Sequence, residues 1–93
     1  MLAKRDERVF LNVVEEVKSI LGEVLKLGGK TRQFDADTAL FGAIAEFDSR
    51  AAVTVMTMLE DRFGIIFEDD EVTGDVFETI GSLSRFIEAK LAD

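Results

Sequence analysis

The chain has 93 residues, 19 of them acidic and 11 basic, for a net charge of −8, and it contains no His, Cys, Tyr, Trp or Pro. This composition excludes disulfides, Cys/His zinc sites and every Ser-His-Asp arrangement. Only carboxylates, Lys, Arg and hydroxyls remain for chemistry, so the protein is not expected to be an enzyme.

Ninety-three residues suffice for one hydrophobic core, and a single domain over residues 1–93 is expected. No apolar run is long enough to span a bilayer. The charged stretch Met1 to Arg8 does not pair a basic flank with an apolar segment as a signal peptide would. A cytoplasmic monomer is the expectation. The negative surface repels phosphate backbones and anionic lipid, which makes nucleic acid and membranes poor partners. It suits basic patches on other proteins, or simply keeps a small domain in solution.

Asp6 is a fair N-cap for the first helix. Val9, Phe10, Val13, Val14, Val17, Ile20, Leu21, Val24 and Leu25 then recur at spacings of three and four. Lys26 falls in the last turn and the Gly28-Gly29 pair offers a left-handed stop, so this helix is expected over 6–27. Residues 30–47 have no sustained period. Asp35, Asp37 and Thr38 are turn residues, and Leu40, Phe41, Ile44 and Phe47 are candidate anchors for a long ordered loop. A short helical turn is expected near 38–41.

Asp48 is the expected N-cap of a helix over 49–63. Its stripe is Ala52, Val53, Val55, Met56, Leu59 and Phe63, with Arg62 in the last turn and Gly64 as the stop. The Val and Thr content would tolerate a strand, but the cap, the stop and the length favour a helix. Ile65, Ile66 and Phe67 lead into the acidic run Glu68 to Glu71, and a short, marginal helix is expected near 70–76, where Gly74 weakens it. Thr79 caps a last helix bearing Ile80, Leu83, Phe86, Ile87 and Leu91, with Lys90 near its end. The fold class is therefore all-α, a four-helix bundle with a long loop between helices one and two and a short helix three.

Ser49 sits at a loop-to-helix junction, where a side chain projects from the bundle and free backbone N–H groups meet the positive end of the helix dipole. That environment suits a covalently attached phosphodiester. From spacing alone, Asp48-Ser49 reads more readily as a plain helix start, since Asp and Ser are the commonest caps. The acidic run does not make a calcium loop: counting from Asp69 places Gly74 at the sharp turn but Ile80 where a bidentate Glu is required. Met56, Leu59, Ile65, Ile66, Phe67, Val76, Phe77 and Ile80 are candidates to line a cleft for an apolar chain. A bundle this small needs most of them as core.

Phe47-Asp48-Ser49-Arg50, the following helix with its Met58-Leu59-Glu60-Asp61-Arg62-Phe63-Gly64 ending, the run Glu68 to Glu71, and Phe77-Glu78-Thr79-Ile80-Gly81-Ser82-Leu83 together resemble the acyl carrier proteins, over roughly residues 8–91. The resemblance implies that Ser49 matches the serine receiving 4′-phosphopantetheine from coenzyme A. It implies that Asp48 matches the neighbouring acid through which a phosphopantetheinyl transferase engages. It also implies acyl-transferring or acyl-activating partner enzymes with basic patches, a role in fatty-acid or other lipid metabolism, and acyl groups borne as thioesters on an arm whose thiol the sequence lacks. The sequence departs from the family pattern in two places. Arg50 stands where Leu is usual, and Glu46-Phe47 where Gly and a small residue are common. Acid on the second helix is concentrated at Glu60 and Asp61. Partner contacts are accordingly assigned to Arg50, Glu60 and Asp61. The stretches Asp48 to Val53 and Val76 to Leu83 look most like stand-alone carriers of bacterial exopolysaccharide or exosortase gene sets. An unmodified interaction domain that kept the bundle is the alternative.

Overall fold

The computed structural model describes residues 7–92. Three α-helices, α1 (Glu7–Leu25), α2 (Ser49–Phe63) and α3 (Ile80–Ala92), are joined by segments containing two 3-10 helices, Gly28–Gln33 and Asp69–Glu71. The expected all-α bundle is present, with α1 packed against both α2 and α3. The Asp6 cap lies outside the described residues.

Burial follows the predicted stripe of α1: Phe10, Val13, Val14, Val17, Ile20 and Leu21 are buried, while Val9 stays exposed. The helix stops two residues earlier than expected. Lys26 takes a left-handed conformation at φ 56°, and the Leu27 N–H donates to the Gly22 carbonyl at 3.0 Å. This closure returns Leu27 to the core, where it is buried. The apolar contact at Leu27 thus fixes the stop, and Lys26 adopts the backbone that a glycine would take more easily. Gly22 lets the following 3-10 helix lie close, because a Cβ there would sit 3.0 Å from Thr31 Cγ2.

The long connection to α2 is ordered by its own polar groups and by α3. The Asp35 carboxylate accepts from the Asp37 N–H at 2.9 Å, and the Thr38 hydroxyl accepts from the Asp35 N–H at 2.9 Å. The chain then pairs with the start of α3. Gly81 N–H donates to the Ala36 carbonyl (2.7 Å), Ile80 N–H to that of Thr38 (3.0 Å), and Leu40 N–H to that of Glu78 (3.1 Å). Ala39 and Thr79 form an isolated antiparallel bridge in place of the helical turn expected at 38–41. The i→i+4 bond falls later, from Ile44 N–H to the Leu40 carbonyl, because Leu40 and Ile44 both turn inward.

Helix α2 has the predicted bounds. Gly64 closes it at φ 67°, its N–H donating to the Glu60 carbonyl. Ala52, Val55 and Leu59 are buried. Val53, assigned to the stripe from sequence, is instead 61% exposed. The Thr54 and Thr57 hydroxyls donate to the carbonyls of Arg50 and Val53, which satisfies them within the helix. Arg62 pairs with Glu16 and ties α2 to α1. The residues weighed as a cleft for an apolar chain are mostly core: Leu59, Phe67, Phe77 and Ile80 are buried, whereas Ile66 is 67% exposed.

The short helix expected over 70–76 is only the 3-10 turn Asp69–Glu71, held by a reciprocal capping box between Glu68 and Glu71. Val72, Thr73 and Gly74 disfavour its continuation, and Val76 N–H instead closes a turn onto the Thr73 carbonyl. Lys90 Nζ reaches Glu71 Oε1 at 2.6 Å, pinning this turn to α3. In α3, Thr79 and Ser82 exchange backbone-to-side-chain bonds at 3.0 and 2.9 Å. Ile80, Leu83 and Ile87 are buried and Leu91 is exposed. Phe86 stacks on Phe67, with ring centroids 5.5 Å apart.

Two outcomes follow from these contacts. A Cβ on Gly81 would lie 2.7 Å from the Ala36 carbonyl oxygen, a backbone atom that cannot swing aside. Gly81→Ala should cost about 1–3 kcal/mol in thermal unfolding, whereas Gly74→Ala, with open space around it, should stay within about 0.5 kcal/mol of the parent. Equal melting temperatures for the two variants would refute the clamp. The hydrogen bond from Lys90, and secondarily the Glu68 N–H, hold the Glu71 carboxyl below its ordinary value near 4.5. A lowered folded-state value stabilises at pH above the ordinary one, and the contribution is lost as pH falls through the lowered value. The stability gap between the parent and Glu71→Gln should therefore be constant near neutrality and close on acidification below about 4.5. A gap that persists unchanged at lower pH would be inconsistent with this assignment.

Candidate functional site

Phe47 sets where α2 begins. It is buried, meets Phe41 edge-on with ring centroids 4.7 Å apart, and lies 6.3 Å from Phe77. Its N–H donates to the Ile44 carbonyl at 2.9 Å. With that ring anchored, the next three residues, Asp48, Ser49 and Arg50, emerge exposed. Glu46, just upstream, meets Lys30 of the first 3-10 helix at 3.5 Å.

Asp48 is the N-cap, with extended backbone (φ −116°, ψ −174°). Its Oδ1 accepts from the Ala51 N–H at 2.9 Å, and its carbonyl accepts from the Ala52 N–H at 2.8 Å. Helix geometry leaves the N–H groups of Ser49 and Arg50 without helical acceptors. Ser49, the first residue of α2, therefore presents a solvent-facing hydroxyl beside two free donors and the positive helix end. Among the described residues no side-chain base bonds that hydroxyl, so the chain supplies a positioned acceptor of a group and not an activated nucleophile.

Arg50 is exposed and makes no ion pair among the described residues. Glu60 and Asp61 lie at the other end of α2, roughly 17 Å from Ser49 along the axis. Eleven residues are close to three whole turns, so Glu60 shares the face of Ser49 and Asp61 that of Arg50. Glu60 is partly buried, and its Oε2 accepts the Phe67 N–H at 2.8 Å, which fixes the 65–67 link. Asp61 is exposed. Val53, one turn after Ser49, adds an exposed apolar side chain that the periodicity had folded into the stripe. Its spacing of four from Ser49 is the signal that would have placed it outside.

No group of His, Cys, Asp or Glu among the described residues is arranged to hold a metal ion, and no helix among them is long and apolar enough to cross a membrane. A family model described as the phosphopantetheine attachment site matches residues 15–87. Among solved structures, the chain is similar to the solution NMR structure of a holo acyl carrier protein from Nitrosomonas europaea. The TM-score is 0.81 and the identity 45%, over 86% of this chain and 96% of that one. No curated protein matches. With the family pattern running through all three helices and the fold shared with a holo carrier, the chain belongs to the acyl carrier proteins, non-enzymatic carriers whose prosthetic group is covalent 4′-phosphopantetheine.

Proposed function

We propose that Ser49 is the attachment point of 4′-phosphopantetheine and that the protein carries acyl intermediates for a specialised lipid or exopolysaccharide-related pathway. The observation that carries the reading is the exposed Ser49 hydroxyl at the first position of α2, with Asp48 capping the helix behind it. The residues fit a phosphodiester. The Ser49 and Arg50 N–H groups have no helical acceptor, and the dipole end favours negative charge. In the loading step a Ser49 Oγ–phosphorus bond forms, the diphosphate bond of coenzyme A breaks, the adenosine bisphosphate portion leaves, and the hydroxyl proton is lost. Because no side-chain base among the described residues bonds Ser49, that proton goes to the transferase. Once attached, the arm supplies the thiol that bears acyl groups as thioesters.

Asp48 has its second carboxylate oxygen available to the transferase, and both Asp48 and Ser49 are exposed. Arg50 and Asp61 are exposed on α2 as contacts for acyl-transferring or acyl-activating enzymes; Glu60 divides its carboxylate between Phe67 and the surface. The reading is of a single carrier domain working as a cytoplasmic monomer. The pathway assignment rests on the stretches Asp48 to Val53 and Val76 to Leu83.

Incubating the protein with coenzyme A and a broad-specificity phosphopantetheinyl transferase should add one phosphopantetheine by intact mass, and Ser49→Ala should abolish the gain. No gain in the parent would favour the unmodified interaction domain, and a gain surviving Ser49→Ala would move the site. Arg50→Leu should keep stability within about 0.5 kcal/mol while changing kcat/KM unequally among different transferases. Equal effects on all of them, or a large drop in melting temperature, would refute the assigned role.

A further inference from the structure

The charge of this chain is segregated along the sequence, and the fold brings two of its cations, Lys18 and Arg32, together with Glu15 on one groove. Residues 18–32 contain Lys18, Lys26, Lys30 and Arg32 against Glu23, a net of +3, whereas residues 33–78 hold twelve acidic side chains against two basic ones, a net of −10. The left-handed turn at Lys26 and the Leu27 to Gly22 hydrogen bond fold the first 3-10 helix back along α1. Thr31 can settle there because Gly22 has no side chain. The result is an open groove of about 300 Å³ lined by Glu15, Lys18, Ser19, Thr31 and Arg32.

We infer that this groove is a second docking surface of the carrier, taking a carboxylate-rich segment of a partner protein. Lys18 and Arg32 supply cations, and the Ser19 and Thr31 hydroxyls supply neutral donors for carboxylate oxygens. Arg32 makes no ion pair among the described residues. Lys18 Nζ lies 3.5 Å from Glu15 Oε2, with the Lys18 side chain 16% and the Glu15 side chain 71% exposed, so an incoming carboxylate reaches Lys18 by displacing the exposed Glu15 from a weak surface pair.

Nucleic acid would meet the same cations, but the −8 net charge and the −10 segment disfavour a polyphosphate chain. A second copy would bring its own run Glu68 to Glu71, yet it would also bring a like net charge of −8, which opposes association. A partner bearing both an acidic and a basic patch matches both signs at once, which fixes its orientation on the carrier. The surface is independent of whether Ser49 is loaded.

The test is a titration of the isotope-labelled full chain with a hexaglutamate peptide, followed residue by residue by NMR, with inorganic phosphate in a parallel arm. Saturable shifts should cluster at Lys18, Ser19, Thr31 and Arg32 and weaken with salt. Affinity should fall about tenfold in Lys18→Glu/Arg32→Glu. Arg32→Ala, at an exposed side chain, gives a smaller loss without burdening the fold. Shifts spread equally over Arg50, Arg62 and Arg85, or affinity unchanged in the double variant, would overturn the proposal. So would phosphate matching the peptide's pattern and midpoint, which would make this a simple anion site. Concentration-dependent self-association through the groove in the absence of peptide would also overturn it, in favour of the second copy.

Discussion

The placement of Asp48 and Ser49 depends on the backbone pairing between the long loop and the first residues of α3. Three hydrogen bonds join Ala36, Thr38 and Leu40 to Gly81, Ile80 and Glu78. They are possible because Gly81 has no Cβ where the Ala36 carbonyl approaches. Without them, residues 34–48 would be a loop with few anchors and a large conformational entropy to lose. The side-chain anchors reinforce the same junction, since Phe47 packs on Phe77 immediately before the paired stretch. Asp48 and Ser49 therefore inherit their position from contacts made elsewhere in the chain. The site can stay fully exposed and still be held in place.

The same design explains why the attachment site proposed at Ser49 needs no pocket. An arm ending in a thiol is delivered to other enzymes, so the carrier must offer a fixed root and an accessible surface. A helix start supplies both, because its free N–H groups and dipole favour a phosphodiester without enclosing it. The Asp48 cap completes the helix while adding a negative charge close by. Arg50 offsets that charge locally, and the acid at Glu60 and Asp61 begins only about three turns away. The face of α2 thus runs from a start where Asp48 and Arg50 offset each other to an acidic far end, with exposed Val53 between them.

Much of this was legible in the sequence, because three helices carry strong local signals. The α2 boundaries are set by Asp48 and Gly64, and both act as read. In α3 the Thr79 cap and the buried Ile80, Leu83 and Ile87 follow the period. The differences arise where tertiary contact overrides local preference. Lys26 takes the left-handed turn two residues before the glycines because Leu27 gains a place in the core. Residues 38–41 pair with α3 instead of coiling. The stretch after Glu71 stays irregular because Gly74 and the branched Val72 and Thr73 give a helix no propensity to extend it. Val53 is apolar and in range of the stripe, but Ala52, Val55 and Leu59 already fill the buried face. Glu60 was legible as acid on α2, yet its bond to the Phe67 backbone depends on the Gly64 turn bringing residue 67 back alongside.

Gly81 shows how such a contact hides in plain view. In the sequence it is one glycine inside a helix, where propensity alone counts it as a cost of roughly 1 kcal/mol. In the fold, that missing Cβ is what allows the Ala36 carbonyl to reach the Gly81 N–H at 2.7 Å. The local penalty is therefore small beside the entropy of a loop that would otherwise lose its tether. The same reasoning applies at Gly22, where the absent side chain admits Thr31 and brings Arg32 beside Lys18. Two glycines at helix positions thus each admit a neighbouring segment: Gly81 docks the loop leading to Ser49, and Gly22 lets the segment bearing Arg32 fold against α1. A residue that weakens its own helix strengthens the docking of a neighbouring segment, because the close approach of the two segments needs the side chain to be absent.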